Sequence, residues 1–188
     1  MIILATDFVT DDYPHLDTAR LSLRAFKPDD LAYLQSFALR PAFWRYLPGP
    51  EPVAELIEAY LEARLQAQAM TDTADWHFAI EARDTGLLIG TARLSIQSRE
   101  HANASLAVSL DSDHWRQGFA KEALAALVDF GFDALGLHRL SALIDAENKA
   151  GIALAEAGGF TREGILKENL RLRGQWRDSA VYARLSPG

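Results

Sequence analysis

The sequence predicts a single α/β (α+β) domain, in which about four helices flank a mixed, mostly antiparallel sheet of about six to seven strands. Three observations indicate this class. Segments in which apolar and polar residues alternate, as in half-buried strands, recur along the chain. Segments with apolar residues every three or four positions, as in amphipathic helices, lie between them. The 188 residues suffice for one sizeable core and show no internal repeat, so we assign 1–188 to one domain with its core at about 16–185.

The individual elements follow from these patterns in chain order. Strands are expected at 20–26, which we predict to be half-exposed, and at 76–80, 87–96, 104–110, 139–146, 160–167 and 175–185. Helices are expected from 28 to a break at 40–41, over 53–70, from a glycine turn at 118 to about 136, and from an N-cap at Asn148 to the glycines at 158–159. The helix at 53–70 is predicted to bury one stripe of its surface: Leu56, Ile57, Tyr60, Leu61, Arg64 and Leu65.

Composition and charge exclude several function classes. The net charge of −7 argues against non-specific nucleic-acid binding, which requires a basic face. The chain has no cysteine, so a thiol nucleophile, a disulfide and a thiolate metal site are excluded, and we predict no metal site. No apolar run approaches the ~20 residues of a membrane span, and residues 1–7 lack the basic segment of a signal peptide. We therefore expect a cytoplasmic protein that binds neither membranes nor nucleic acids.

Residues 115–124 form the most informative motif of the chain, Trp-Arg-Gln-Gly-Phe-Ala-Lys-Glu-Ala-Leu. Here a cationic turn with one glycine opens directly into an amphipathic helix. The first amides of a helix lack intrahelical acceptors and lie at the positive end of its dipole, so such a turn can bind a pyrophosphate. Gly118 allows close approach of the backbone, and Arg116 and Lys121 add positive charge. The alternative is an ordinary helix start with a loop glycine.

Three further segments accompany this motif: Leu-His-Arg at 137–139, the segment from Asn148 to Phe160, and Gly-Gln-Trp-Arg-Asp at 174–178 followed by Tyr182. Together with the order of the elements, these segments resemble the GNAT N-acetyltransferase superfamily. More narrowly, they are similar to the branch of bacterial ribosomal-protein N-terminal (alanine/serine) acetyltransferases. The resemblance covers roughly residues 16–185.

The resemblance implies a V-shaped splay between the fourth and fifth strands and acetyl-CoA as co-substrate. Its pyrophosphate is expected beside Arg116, on the backbone amides of Gln117, Gly118, Phe119, Ala120 and Lys121. The resemblance also implies that the backbone of Ala107, Val108 and Leu110 binds the pantetheine arm and polarises the thioester carbonyl. Asn148 matches a family position near the pantetheine, and plain helix capping is the alternative role for this residue.

Two departures from the family pattern concern catalysis. Gly151 stands where the family commonly has a serine that can protonate the departing thiolate. Ser105 stands where relatives often carry a glutamate base, and a serine can only hold a water there, so Ser105 and Asn148 are the catalytic candidates. An α-amine with a pKa of about 7.7 to 8.0 is partly deprotonated at neutral pH, whereas a lysine amine near 10.4 is almost fully protonated. The missing base therefore favours a peptide N-terminus or another low-pKa amine as acceptor.

Several other side chains can have either a role at the site or a structural role. Four are candidate bases, because they lie on or near strands that face the expected substrate side: His77, His101, His114 and Glu100. Trp115 is expected to anchor its loop in the core, His138 to be structural, and Tyr182 to pack rather than reach the cleft. Asp178 is expected to fix its turn or to pair with Arg177. One aromatic-rich segment either shapes the acceptor pocket or covers the core or a dimer contact: Phe43, Trp44, Tyr46 and Leu47.

The main functional prediction is an acetyl-CoA-dependent N-acetyltransferase, in which a primary amine attacks the thioester directly in a ternary complex. The favoured acceptor is a peptide or protein N-terminal α-amine. The alternative acceptor is a small-molecule amine, such as an amino acid, a polyamine or an aminoglycoside-like compound. A catalytically silent acyl-CoA binding or sensing module is a further alternative, which the missing serine and glutamate favour. A nucleotide-phosphate enzyme is disfavoured because the chain has no Gly-x-x-x-x-Gly-Lys-Ser/Thr motif. A homodimer is common in similar proteins.

Overall fold

The computed structural model describes residues 13–69 and 73–187. Its strands are β1 (Leu16–Asp17), β2 (Leu21–Arg24), β3 (Asp75–Ala82), β4 (Leu87–Ser98), β5 (Asn103–Leu110), β6 (Arg139–Asp145), β7 (Thr161–Leu172) and β8 (Gln175–Leu185). Its helices are α1 (Leu31–Ala38), α2 (Pro41–Trp44), α3 (Ala54–Ala67), α4 (Phe119–Asp129) and α5 (Lys149–Ala157). The strands form one sheet in the order β1-β2-β3-β4-β5-β6-β8-β7. The predicted mixed sheet flanked by helices is therefore confirmed.

One pair of neighbouring strands, β5 and β6, is parallel, and this pair separates partway along its length. The two strands are in register only at Asn103–Arg139, Ala104–Leu140 and Ser105–Ser141. Beyond these positions β5 continues to Leu110 beside β4, and β6 continues to Asp145 beside β8. β5 and β6 are the fourth and fifth of the predicted strands, because β1 was not predicted. The predicted V-shaped splay between them is therefore confirmed, and we call the space between them the β5–β6 gap.

The sheet carries a hydrophobic core on each face. Helices α4 and α5 cover one face, where Leu127 and Phe130 pack against Phe78 and Leu94. Helices α1 and α3 cover the other face of the β2–β5 half, where Phe37 and Ile57 belong to a second buried cluster. The β5–β6 gap thus runs through the sheet between two helical layers. Among the helices of residues 13–69 and 73–187, none is long and apolar enough to cross a membrane.

The structure corrects several details of the predicted elements. β1 and α2 were not predicted, because elements of two and four residues are too short to leave a periodic pattern. The helix expected at 53–70 spans Ala54–Ala67, and the predicted end at Met70 lies outside the described residues. Leu56, placed on its buried stripe, is 43% exposed.

The first predicted strand is buried on both faces rather than half-exposed. The polar residues of β2 are buried along with its leucines, because they have partners inside the protein. Arg24 donates two hydrogen bonds to Asp30 (2.9 and 2.8 Å) and one to Glu81 (2.6 Å). This ion-pair network ties the segment before α1 to β2 and β3.

Candidate functional site

The turn between β5 and α4 places the glycine motif at a helix N-terminus, as predicted. Arg116 and Gly118 have left-handed backbone conformations, with φ of 61° and 83°, and Gly118 is the N-cap of α4. Within the described part of the chain, the amides of residues 117–121 donate no hydrogen bond. Consecutive N–H groups at the positive end of α4 are therefore available to an anion, which is the arrangement that a pyrophosphate requires.

Arg20, which no sequence motif singles out, holds this turn in place. Its Nη1 donates to the carbonyl oxygen of Gln117 (3.0 Å), and its guanidinium lies 4.5 Å from the centre of the Phe119 ring. Its Nε donates to Glu122 in the first turn of α4 (2.7 Å), and Thr18 Oγ1 donates to the same carboxylate (2.6 Å). Burial raises the pKa of Glu122, but the hydrogen bonds from Thr18 and Arg20 outweigh burial and hold that pKa below its ordinary value. The turn and the helix start are thus fixed to the chain before β2.

The backbone of β5 lines one side of the β5–β6 gap. The hydrogen bond from Asp111 N to Ile89 O (2.8 Å) sets the alternation of hydrogen bonds along this strand. By this alternation, Ala107 exchanges its backbone hydrogen bonds with β4, whereas Val108 and Leu110 direct theirs into the gap. This alternation assigns the polar groups of Ala107 to β4 rather than to the gap. The roles of Ala107, Val108 and Leu110 in binding the pantetheine arm stay predictions.

Trp115 anchors its loop, but not by burying its ring. Its Nε1 donates to the carbonyl oxygen of Leu110 (2.9 Å), while the side chain remains 47% exposed. The expectation of a core-facing indole is therefore wrong. Because this hydrogen bond occupies the Leu110 carbonyl, the polar groups that β5 offers to the gap in this region are the Leu110 amide and both backbone groups of Val108.

Asn148 follows β6 and caps α5, because its Oδ1 accepts a hydrogen bond from Gly151 N (3.0 Å). The predicted cap is confirmed, and a role beside the pantetheine stays a prediction. A Cβ on Gly151 would lie 2.7 Å from Asn148 Nδ2 and 3.1 Å from Ile144 Cγ2. The glycine that stands in place of the family's serine therefore makes room for the capping side chain.

Two substitutions separate the roles of Asn148. We expect Asn148→Ala to lower the free energy of unfolding by about 1 kcal/mol, because the cap is lost. Asn148→Asp is expected to keep the free energy of unfolding within a few tenths of a kcal/mol of the wild-type value, because the carboxylate caps equally well. Both changes remove the Nδ2 donor, so both are expected to raise the KM for acetyl-CoA. Urea denaturation and steady-state kinetics measure the two effects. A wild-type KM in Asn148→Asp would limit Asn148 to capping.

Among the described residues, no carboxylate hydrogen-bonds to Ser105, so its hydroxyl has no group that would make it a strong base. Its Oγ accepts a hydrogen bond from Gln97 Nε2 (3.1 Å), and its neighbours in register are Ser95 on β4 and Ser141 on β6. Hydroxyl and amide groups of this kind can hold a water but do not take up a proton near neutral pH. A catalytic role of Ser105 therefore stays a prediction and extends only to binding a water.

Two of the predicted bases lie beside carboxylates. His77 on β3 is largely buried, and its Nε2 lies 3.0 Å from Asp75 Oδ2. His114 lies in the turn before α4, where its Nδ1 is buried without a hydrogen-bond partner, 3.4 Å from Asp111 Oδ2. His77 is on the α1–α3 face of the sheet, since it contacts the ring of Tyr60 in α3.

The other two predicted bases do not face the gap. Glu100 and His101 are exposed in the turn between β4 and β5, at the opposite end of β5 from the glycine turn. His138 has an exposed side chain and contributes through its backbone, whose amide donates to Ala102 O (2.7 Å). Its structural role is as expected. The described residues contain no group of three or more His, Cys, Asp or Glu side chains that could hold a metal ion.

The candidates on β8 are structural. Tyr182 is buried and donates to Glu156 Oε1 (2.9 Å), so it packs in the core as expected. Asp178 does not pair with Arg177. It accepts hydrogen bonds from Lys167 Nζ (2.7 Å) and from a backbone amide of β7 (3.0 Å), and so holds an irregular stretch of that strand.

The aromatic segment after α1 covers the core and also contacts the far side of the gap. Phe43 and Trp44 pack against the buried cluster under α1 and α3, which favours the core-covering interpretation of this segment. The carbonyl oxygens of Trp44 and Arg45 accept hydrogen bonds from Arg173 at the tip of the β7–β8 hairpin, the latter at 3.0 Å. The helices on the β5 side are thus joined to the hairpin on the β6 side.

Comparisons with known proteins agree with this geometry. A family model described as an acetyltransferase (GNAT) domain matches residues 20–161. The uncharacterized N-acetyltransferase YoaA of Bacillus subtilis (strain 168) is 31% identical over 175 residues, covering 93% of this chain and 98% of the relative. A spermidine N(1)-acetyltransferase of Vibrio cholerae is 27% identical over 163 residues, covering 85% of this chain and 90% of the relative. The crystal structure of a ribosomal-protein-S5-alanine acetyltransferase from Vibrio fischeri has the same fold, with a TM-score of 0.81 at 21% identity over 93% of this chain and 97% of that chain.

Proposed function

The chain belongs to the GNAT acetyltransferase family, and we propose that its acceptor is the α-amine of a peptide or protein N-terminus. The protein is an acetyl-CoA-dependent N-acetyltransferase that acts on an amine. A catalytically silent binding module is not favoured, because the relatives that match most of the chain are themselves N-acetyltransferases. The proposal treats residues 1–188 as one acetyltransferase domain.

The observation that carries the placement of acetyl-CoA is the run of free amides at 117–121 directly beside the β5–β6 gap. In the proposed arrangement these amides bind the pyrophosphate, with Arg116 and Lys121 adding positive charge. The pantetheine arm lies in the gap, where Val108 and Leu110 offer backbone hydrogen bonds and Asn148 offers its Nδ2 donor. The residues present therefore fit a long, flexible ligand with an anionic middle section.

The chemistry proposed for this arrangement is direct transfer. The acceptor nitrogen attacks the carbonyl carbon of the thioester, the C–S bond breaks, and CoA leaves as the thiolate. No enzyme nucleophile is involved, and the chain has no cysteine that could form an acyl intermediate. Holding both substrates in one geometry supplies much of the acceleration. The Val108 amide, which points into the gap, is the candidate donor to the negative charge that develops on the carbonyl oxygen.

Two features support an α-amine over a polyamine as acceptor. No carboxylate hydrogen-bonds to Ser105 among the described residues, and an α-amine with a pKa of about 7.7 to 8.0 needs less help from a base than a more basic amine. In addition, the guanidinium groups of Arg64 and Arg93 act on His77 together with the carboxylate of Asp75. The positive charge of the two arginines on the α1–α3 face disfavours a ligand with several ammonium groups there.

The test is the release of free CoA from acetyl-CoA, followed with a thiol reagent. The protein has no cysteine and therefore does not react with this reagent. The panel contains a peptide with a free N-terminus, the same peptide N-acetylated and carrying one lysine, spermidine, and an aminoglycoside. We expect the free peptide to have a kcat/KM at least about tenfold higher at pH 7 than the other amines, since its amine is the most deprotonated. A preference for spermidine or for the lysine peptide would contradict the proposed acceptor. Binding of acetyl-CoA without turnover on any amine would favour the catalytically silent binding module instead.

A homodimer is part of the proposal. Leu143 on β6 and Trp176 on β8 are 61% and 60% exposed in the isolated chain, and exposed apolar surface is a candidate for a protein contact. Light scattering during gel filtration is expected to give twice the monomer mass of 20.8 kDa. A monomer at micromolar concentration would contradict this part of the proposal.

A further inference from the structure

A cluster of charged side chains lies on the α1–α3 face of the sheet, outside the turn and the gap. Asp75 and His77 stand two residues apart on β3, so both point to this face. Arg93 on β4 donates to both oxygens of Asp75, through Nε (2.6 Å) and Nη2 (2.9 Å). His77 Nε2 is a further partner of this carboxylate, at 3.0 Å from Oδ2. The imidazole is thus held at one nitrogen by an ionised carboxylate.

The register of the sheet places this cluster in one row with a β5 residue beside the proposed reaction site. His77 pairs with Arg93, and Arg93 pairs with Ala107, so the three residues form one row across adjacent strands. Residues paired in this way share one face of the sheet. Two strand spacings separate His77 from Ala107, which is about 10 Å. Ala107 is exposed on this face and lies beside Val108, whose backbone borders the gap. One or two water molecules span such a distance.

The protonation states suit a proton acceptor. Burial lowers the pKa of His77 and outweighs the opposing effect of Asp75, and the nearby charges of Arg64 and Arg93 lower it further. Burial raises the pKa of Asp75, but the hydrogen bonds from His77 and Arg93 hold it well below its usual range. Two tyrosines next to His77 are neutral, because burial raises the pKa of each to about 12: Tyr13 and Tyr60. Near neutral pH, a neutral imidazole therefore donates Nε2–H to a carboxylate, and Nδ1 is left as the acceptor.

We propose that His77 takes up the proton that the acceptor amine loses during acetyl transfer, with Asp75 as its positioning residue. The proposal rests on the proposed function. As the nitrogen bonds to the acetyl carbon and the C–S bond breaks, the ammonium proton passes through water to Nδ1 of His77. Asp75 stabilises the imidazolium that forms. The imidazolium then returns the proton to solvent. The CoA thiolate takes a proton from solvent, so the net reaction yields the amide and the free thiol.

The pH dependence of kcat/KM tests this proposal. In the wild type, log(kcat/KM) is expected to rise with a slope of two below the pKa of His77 and with a slope of one between that pKa and the pKa of the amine. His77→Gln keeps a donor to Asp75 and is expected to lower kcat/KM by about 100-fold and to remove the slope of two. Asp75→Asn is expected to move the lower break to more acidic pH, since Asp75 raises the pKa of His77.

A matched control is available beside the edge strand β1, two strands away from β3. His15 Nε2 lies 3.2 Å from Asp17 Oδ1, a similar histidine–aspartate pair that borders β1. His15→Gln is expected to keep the wild-type rate and pH profile. A wild-type profile whose slope never exceeds one, or a His77→Gln enzyme with unchanged rate and profile, would overturn the proposal while leaving acetyl transfer itself intact. Failure of the proposed function shows differently, as a preference for spermidine or the lysine peptide, or as a wild type that releases no CoA with any amine.

A second measurement covers the case in which His77→Gln does not fold. The chain has five histidines, and NMR titration of ¹⁵N-labelled imidazoles in the wild type gives the pKa of each. Replacing the other four in turn assigns the signal of His77. The proposal requires this pKa, measured in the wild-type protein, to coincide with the lower kinetic break. A separation of more than about one pH unit would overturn it.

Discussion

Replacing Gly118 with alanine is expected to weaken acetyl-CoA binding by about 10- to 100-fold. Gly118 has φ of 83°, a conformation that costs an alanine roughly 1–2 kcal/mol. The added methyl group would also lie 3.3 Å from Arg20 Nη2, within the contact that fixes the turn. The turn can relieve this strain by rotating its amides away from the proposed pyrophosphate position. Isothermal titration with acetyl-CoA measures the loss.

Gly86 provides the matched control for this substitution. It has φ of 68° in the turn between β3 and β4, and nothing lies within 4 Å of a Cβ placed on it. Gly86→Ala therefore carries a similar conformational cost of roughly 1–2 kcal/mol, remote from the proposed site. We expect both variants to lose stability and only Gly118→Ala to lose affinity. If both variants kept the wild-type affinity for acetyl-CoA, the turn would not be part of the binding site.

Asp30→Ala is expected to lower the free energy of unfolding by about 3–5 kcal/mol, because it leaves the guanidinium of Arg24 buried without its main partner. The two side chains are only 9% and 4% exposed, so water cannot take over the lost hydrogen bonds. The carboxylate also accepts a hydrogen bond from Lys27 N (2.8 Å), which the alanine cannot replace. Chemical denaturation measures the effect.

Glu163→Ala is the control for a solvent-exposed ion pair. Glu163 accepts hydrogen bonds from Arg139, but the two side chains are 43% and 31% exposed. Its loss is expected to cost less than about 1 kcal/mol. Similar losses in Asp30→Ala and Glu163→Ala would show that burial of the Arg24–Asp30 pair contributes little to stability.

Features that depend on neighbouring residues were the ones that the sequence predicted well. The helix start at Gly118 and the cap at Asn148 depend on a few consecutive residues whose backbone preferences are strong. The long strands and the helices α3, α4 and α5 carry enough periods of an apolar pattern to be recognised, and their order matches the family resemblance.

Features that depend on distant pairing could not be predicted in this way. Arg20 and Glu122 are 102 positions apart, and no local pattern announces their ion pair at the glycine turn. The register that aligns His77 with Ala107 depends on two strand pairings. In each pairing, an irregularity lies between the aligned residues and the turn that joins the two strands. The burial of Arg24 was missed because alternation of polar and apolar residues looks the same whether the polar face meets water or an internal partner.

The separation of β5 and β6 gives this sheet two inner edges. An unpaired strand edge on the outside of a protein is a template for strand addition by other chains, and therefore an aggregation hazard. Here the Val108 backbone and the Leu110 amide, which face the gap, lie inside the molecule, with α4 packed against β5 and α5 packed against β6. The protein can therefore keep strand-like hydrogen-bonding groups available to a narrow ligand while denying them to a second polypeptide.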